Sequence, residues 1–204
     1  MLTNNCSFIF VNGELKPVCL PLMEEKLFSI DEQIMQAEKN VQSFINGSVY
    51  LNMLLWGEKG CGKSSMVKQL LIKYHNLGLR VIQFLNSDLS DLHELYCRLS
   101  LEDYKFIILF DDISFNYDDE RYRSFKSILE GGIFEQPQNV MIVATSNRRH
   151  LIFEHASDTD DIYSRDDINE STSLYSRFGL VVGFYPMGKD DYLNIVKNYL
   201  FKYG

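Results

Sequence analysis

No apolar run in this chain approaches the roughly 18 residues that a membrane-spanning helix requires, and the opening stretch from Met1 to Asn5 shows no secretory signal pattern. A helical membrane protein is thereby excluded, and a cytoplasmic location is expected. Cysteine is sparse and unpaired. Cys6, Cys19, Cys61 and Cys97 form no CxxC pair, which argues against a zinc site, and scattered free thiols fit a reducing compartment. An excess of positive charge is missing too. The net charge is −8, so nucleic-acid binding driven by an overall positive field is disfavoured, although a local basic patch is not. The chain carries no internal repeat and no low-complexity tract.

What remains is a chain of 204 residues, 46% apolar, enough for one well-buried α/β domain. Residues 1–27 form a lead-in with two short apolar pieces, Phe8 to Val11 and Val18 to Leu22. Ser29 and Glu32 have the spacing of a helix capping box. Ile30, Ile34, Ala37 and Val41 continue at helical period, and Gly47 stands where a helix C-terminal glycine belongs. Strands are predicted at Val49–Trp56, Val81–Leu85, Phe106–Phe110, Val140–Thr145 and Leu180–Tyr185. Helices are predicted at Met66–Tyr74, Leu92–Leu99, Arg121–Leu129 (ended by Gly131-Gly132) and Asp190–Tyr203. The unbroken apolar strand Phe106–Phe110 has the composition of one buried on both faces of a parallel sheet. Strands alternating with helices predict an α/β domain with a mostly parallel sheet. The stretch 154–170, rich in Asp and Ser, reads as an exposed loop, and the carboxylates from Asp158 to Asp167 lack the spacing of a calcium loop.

Between the first core strand and its helix runs Gly57-Glu58-Lys59-Gly60-Cys61-Gly62-Lys63-Ser64, which fits G-x-x-x-x-G-K-[ST] at every fixed position. Glycines allow the backbone to curl until several N–H groups point into one cavity. The helix that follows presents an N-terminus that favours anions. Lys63 can reach the β- and γ-phosphates of a nucleotide, and Ser64 can ligate magnesium. Ser65 continues the loop into its helix, and Cys61 occupies a spacer position.

Two strand ends complete the pattern. Ile107 to Phe110 is apolar and closes on Asp111-Asp112, which at the C-terminal edge of the sheet would face the phosphate loop. There Asp111 would hold magnesium through water, and Asp112 would polarise the attacking water. The strand Val140–Thr145 leads to Asn147, a candidate for orienting that water or touching the γ-phosphate, and then to Arg148, Arg149 and His150. Arg177, in Ser176-Arg177-Phe178-Gly179 before the last strand, is a candidate nucleotide-sensing residue. No N-K-x-D base-reading motif supports a GTPase. The acidic region after Asn147 does not fit the arginine-rich closing segment of a small-molecule kinase.

Together, GEKGCGKSS, FIILFDDIS, ATSNRRH and SRFGLVVGFYP resemble the AAA+ ATPase superfamily and, more closely, a bacterial ATP-binding family, domain of unknown function 815. The likeness extends to Ile30-Asp31-Glu32-Gln33, Phe44-Ile45-Asn46-Gly47, Leu54-Leu55-Trp56-Gly57 and Ser127-Ile128-Leu129-Glu130-Gly131-Gly132, and so covers residue 28 to the C-terminus. The SRFG element is similar to the arginine-finger box of Holliday-junction branch-migration motors. The paired aspartates are similar to those of transposase-helper and helicase-loader ATPases. The resemblance implies a P-loop NTPase core of three α/β/α layers over residues 28–187, with a five-stranded parallel sheet in the order 5-1-4-3-2. It gives Lys63 and Ser64 the Walker A roles, Asp111 and Asp112 the Walker B roles, Asn147 the sensor 1 role and Arg177 that of an arginine finger acting in trans within a homo-oligomer. Phe28 to Asp31, Ile30 among them, lies where relatives bind adenine. ATP or ADP with Mg2+ is the implied ligand. Residues 188–204 correspond to the start of a helical lid, so the lid is expected to be truncated or absent. Hydrolysis that remodels or loads a protein or nucleic-acid client is the function implied. A non-hydrolysing or slow nucleotide switch is the alternative, because Asp112 stands where many relatives carry Glu.

Overall fold

Alternate residues of the central strands leave the sheet in opposite directions, and both directions are apolar. Phe106, Ile108 and Phe110 join one buried cluster with Val140, Ile142 and Ala144. Ile107 and Leu109 join the other with Met141 and Val143. A strand with two apolar faces needs a helical layer on each side. The chain supplies them. Helices α1 (Asp31–Ile45) and α2 (Lys63–Tyr74) cover one face through Ala37, Val41, Phe44, Met66, Val67, Leu70 and Leu71. Helices α3 (Asp91–Leu99) and α4 (Glu120–Glu130) cover the other through Leu92, Leu95, Tyr96, Leu99, Tyr122 and Phe125. The computed structural model describes residues 2–21, 27, 29–85, 89–115, 120–130, 135–147, 176–185 and the isolated positions 188, 193, 196, 197 and 200. No helix among the described residues is long and apolar enough to cross a membrane.

Among the described residues the sheet has seven strands: β1 (Ser7–Val11), β2 (Glu14–Pro17), β3 (Met53–Gly57), β4 (Leu79–Phe84), β5 (Lys105–Phe110), β6 (Val140–Ser146) and β7 (Leu180–Phe184). Their order is β2-β1-β4-β5-β6-β3-β7. Taken from the β7 edge and numbered from β3, the last five form the predicted 5-1-4-3-2 core, and all their pairings are parallel. The sheet is nevertheless wider than five strands. The lead-in supplies β1, which pairs parallel with β4, and β2, which folds back antiparallel through a turn with positive φ at Asn12 and Gly13. Phe8 and Phe10 of β1 are buried in the main core, and this burial keeps the extra strands on the sheet.

Several element boundaries differ from expectation. At the first helix the N-cap residue is Ile30, not Ser29. The helix begins at Asp31 after Ile30, without a side-chain cap, and Ser29 itself takes φ +62°. The tight turn there brings the Ile30 side chain to the phosphate loop, where its Cδ1 would lie 3.3 Å from a β-carbon placed on Gly62. At the other end Gly47 takes φ +70° and donates to Phe44, while Ser48 donates to Ser43, a Schellman closure. Strand β3 starts at Met53 rather than Val49. Asn40 bonds both the N–H and the C=O of Leu51, at 2.9 and 2.8 Å, and so replaces a ladder with side-chain bonds. The predicted segments 131–132, 148–150 and 154–170 lie outside the described residues, as does most of 190–203.

Candidate functional site

Strands β3, β5 and β6 are adjacent and parallel, so their carboxyl ends open onto one edge of the sheet. That edge carries a cavity of about 330 Å³ lined by Lys59, Gly60, Gly62, Lys63, Ser64, Ser65, Asp111, Asp112, Thr145 and Asn147. Three segments distant in sequence thus converge on one space.

The loop owes its shape to its glycines. Gly57 has φ +147°, and a β-carbon there would lie 2.0 Å from the carbonyl oxygen of Phe184. Gly60 and Gly62 take φ +83° and +93°, conformations costly for other residues. Gly62 is the N-cap of α2, which has neither a side-chain cap nor an acidic residue in its first turn. Its first N–H groups therefore lack helical partners, and the dipole there favours an anion. Glu58, Lys59 and Gly60 are exposed, while Ser64 and Ser65 are half-buried. Cys61 is buried within the apolar cluster that also holds Ile30 and Met66. It is a packing residue beneath the loop.

Lys63 is 8% exposed. Its Nζ donates to the carbonyls of Gly57 (2.6 Å) and Glu58 (2.8 Å) and to Oδ1 of Asn147 at 3.3 Å. Burial pushes its pKa below the usual lysine value. Cys61, Asp112 and Asp111 oppose that shift, and Lys59 adds to it. A buried cation whose hydrogen bonds go to neutral groups gains from an arriving anion.

On the facing strand ends, Ser64 donates to Oδ1 of Asp111 at 2.7 Å. Thr145 donates to the same oxygen at 2.7 Å and accepts the backbone N–H of Asp112, also at 2.7 Å. Asn147 donates through Nδ2 to Oδ1 of Asp112, and Lys59 lies 3.6 Å from the other carboxylate oxygen. Asp112 has φ +56°, a region that Asp and Asn enter more readily than Glu. The backbone thus gives a reason for the shorter acid. Among the described residues no group of three or more His, Cys, Asp or Glu side chains forms a metal cluster. One carboxylate beside two hydroxyls suits Mg2+, which keeps several waters and takes one or two carboxylates together with substrate phosphates.

Arg177 lies elsewhere. Its guanidinium bonds Glu130, the last residue of α4, at 2.9 Å and is 43% exposed. The adjoining Phe178 is 2% exposed and packs 6.2 Å from Phe125, which fixes the backbone that carries the arginine. Sequence reasoning missed Thr145, the pairing of Lys59 with Asp112, and Glu130 as the partner of Arg177. Only Thr145 left a signal, since it shares the strand face of Asn147 two residues on.

A family profile described as Protein of unknown function (DUF815) matches residues 6–204. The chain belongs to this family. No curated protein matches it. Solved structures similar to this DUF815 member include RuvB of Thermotoga maritima, a Holliday junction branch migration motor. That pair has a TM-score of 0.55 and 17% identity, over 86% of this chain and 53% of that one. Cdc6p of Pyrobaculum aerophilum gives 0.56 and 16%, over 85% and 50%. The Orc1 protein of Aeropyrum pernix, solved in complex with DNA, gives 0.58 and 15%, over 88% and 51%. The DUF815 chain spans about half the length of each. At these identities the likeness is one of fold, and that fold is the P-loop α/β fold of the AAA+ ATPases.

Proposed function

We propose that this DUF815 domain binds ATP with Mg2+ at the β3–α2 loop and hydrolyses it. The reading rests on one observation. A buried lysine, a helix N-terminus and the Ser64–Asp111 pair line a single cavity. Lys63 holds the β- and γ-phosphates in this scheme, exchanging loop carbonyls for phosphate oxygens. Ser64 and Asp111 hold the ion, whose chemistry is to neutralise charge on the phosphates. Asp112 polarises the attacking water, and Asn147 orients it. Ile30, buried beside Gly62, contributes to the adenine side.

Arg177 does not line the cavity of its own chain, and its half-exposed guanidinium is held by Glu130. Both facts favour action on a neighbour's nucleotide within a homo-oligomer. The client that such an assembly remodels or loads is a protein or a nucleic acid. RuvB is a Holliday junction branch migration motor and Orc1 was solved with DNA, which favours a client on nucleic acid. The net charge of −8 favours contact through a restricted patch or a protein intermediary.

A slower, switch-like turnover is favoured by one observation, that both carboxylate oxygens of Asp112 are engaged by Asn147 and Lys59. Calorimetry of ATP binding with magnesium, paired with steady-state phosphate release, tests both readings. Tight binding that Lys63→Ala abolishes is expected. Unchanged affinity in that variant would remove the loop from the function. Binding without phosphate release would select the switch.

A further inference from the structure

Lys59 is the second cation of the phosphate loop, and the loop pattern does not call for it. Its position in the motif accepts any residue. In the structure it lines the cavity, and its Nζ lies 3.6 Å from Oδ2 of Asp112. A chain of polar contacts therefore runs around the wall of the cavity. Lys59 faces Asp112, Asp112 accepts from Asn147, and Asn147 accepts from Lys63. The two ammonium groups end this chain, with the water-polarising acid and its amide between them.

The two lysines are held differently. Lys63 is buried and bonded to two loop carbonyls at 2.6 and 2.8 Å. Lys59 and Asp112 have side chains 79% and 56% exposed, and an ion pair that open to water is weak. It yields readily to a stronger anion. The carboxylate that polarises water for attack must stand beside the phosphorus attacked. On the nucleotide-binding reading, the ammonium 3.6 Å from this carboxylate would therefore stand nearer to a third phosphate than to the first two.

We propose that Lys59 reads the terminal phosphate: its ammonium restrains Asp112 in the nucleotide-free chain, and a nucleoside triphosphate draws it away and releases the acid. A diphosphate leaves the restraint in place. This rests on the nucleotide-binding reading above and adds to it a residue that separates triphosphate from diphosphate. It also ties the readiness of Asp112 to the presence of the group to be cleaved.

The test is the ratio of affinities for a non-hydrolysable ATP analogue and for ADP, both with magnesium, measured by calorimetry on the whole chain. Lys59→Ala should weaken the analogue by roughly tenfold, the scale of one exposed charge-assisted contact, and change ADP by no more than about twofold. Lys59→Arg should restore the ratio. Lys73→Ala, which removes a lysine paired with Glu38 on another surface, should leave it as in the native chain. Thermal midpoints verify that each variant is folded. An unchanged ratio in Lys59→Ala, or an equal change in Lys73→Ala, overturns the proposal and leaves nucleotide binding standing. A native chain that binds neither nucleotide overturns both.

Discussion

The Thr145 hydroxyl donates to Oδ1 of Asp111 at 2.7 Å and, in the same position, accepts the N–H of Asp112 at 2.7 Å. One side chain on β6 thus fixes both acidic residues at the end of β5, and it is only 1% exposed. Replacing it with valine keeps the shape but leaves the Asp112 N–H without its acceptor. Thr145→Val is expected to lose about 1–3 kcal/mol of stability and to weaken the magnesium dependence of ATP binding, because Asp111 is no longer aimed. Thr145→Ser should retain most of both. Chemical denaturation and a magnesium titration measure the two effects. A valine variant as stable as the native chain would show that the hydroxyl is dispensable.

Asp112 combines a positive φ of 56° with contacts to Asn147 and Lys59. Asparagine enters that backbone region readily, whereas alanine does so at a cost. Asp112→Asn should therefore keep its stability and ATP affinity and lose roughly 10²- to 10⁴-fold in turnover, the scale of a missing general base. Asp112→Ala should lose turnover and also about 1 kcal/mol of stability. Denaturation curves beside phosphate-release rates separate the two. Equal stability of the variants would remove the backbone explanation for aspartate at this position.

The core of the fold was legible because its signals are periodic or fixed by chemistry. Strands β5 and β6 are continuous apolar runs, and the loop between β3 and α2 needs glycine where the backbone turns left-handed. Long-range choices were hidden. Nothing local in Ser7–Val11 shows that it pairs with β4 rather than standing apart, since that depends on an open sheet edge and on a place for Phe8 and Phe10. The N-cap position fell on Ile30 rather than Ser29, with the Ile30 side chain seated against Gly62. The four-residue shift in the start of β3 came from Asn40, eleven positions from the Leu51 it bonds. The site residues were legible by type and order. Their partners Thr145, Lys59 and Glu130 emerged only when the strand ends came together.

Tyr96 is 4% exposed, and its hydroxyl has no hydrogen-bond partner among the described residues. Burial raises its pKa above the ordinary 10.0. As pH climbs past 10.0, the unfolded chain gives up this proton before the folded chain does, so stability falls with rising pH. Tyr96→Phe removes an unsatisfied hydroxyl and keeps the ring in the α3 face of the core. It should raise stability by about 1 kcal/mol at neutral pH and flatten part of the alkaline decline. Thermal melts across that range measure both. A phenylalanine variant that is less stable at neutral pH would mean that the hydroxyl does have a partner.

Variants at Arg177 test whether one chain can act alone. Its cation is neutralised by Glu130 at 2.9 Å, and a carboxylate at the C-terminus of a helix is unfavourable without such a partner. The pair therefore keeps Glu130 tolerable and Arg177 presented at the surface, next to the anchored Phe178. On the proposed reading, the developing negative charge on a neighbour's nucleotide would compete with Glu130 for the guanidinium. Such arginines contribute about 10³ to 10⁵ in rate in the well-studied phosphoryl-transfer enzymes. Arg177→Ala is expected to bind ATP as the native chain does and to lose hydrolysis on that scale. Mixing gives the sharper test. Lys63→Ala subunits bind no ATP but still offer Arg177, and Arg177→Ala subunits bind ATP but offer no finger. Each should be inactive alone, and the mixture should recover partial activity at junctions where an intact loop meets an intact arginine. The measurement is phosphate release as a function of mixing ratio, with mixed oligomers verified by mass. Recovered activity that rises and falls with the fraction of such junctions is expected. A mixture that stays inactive while mixed oligomers demonstrably form would rule out action of Arg177 across the subunit boundary.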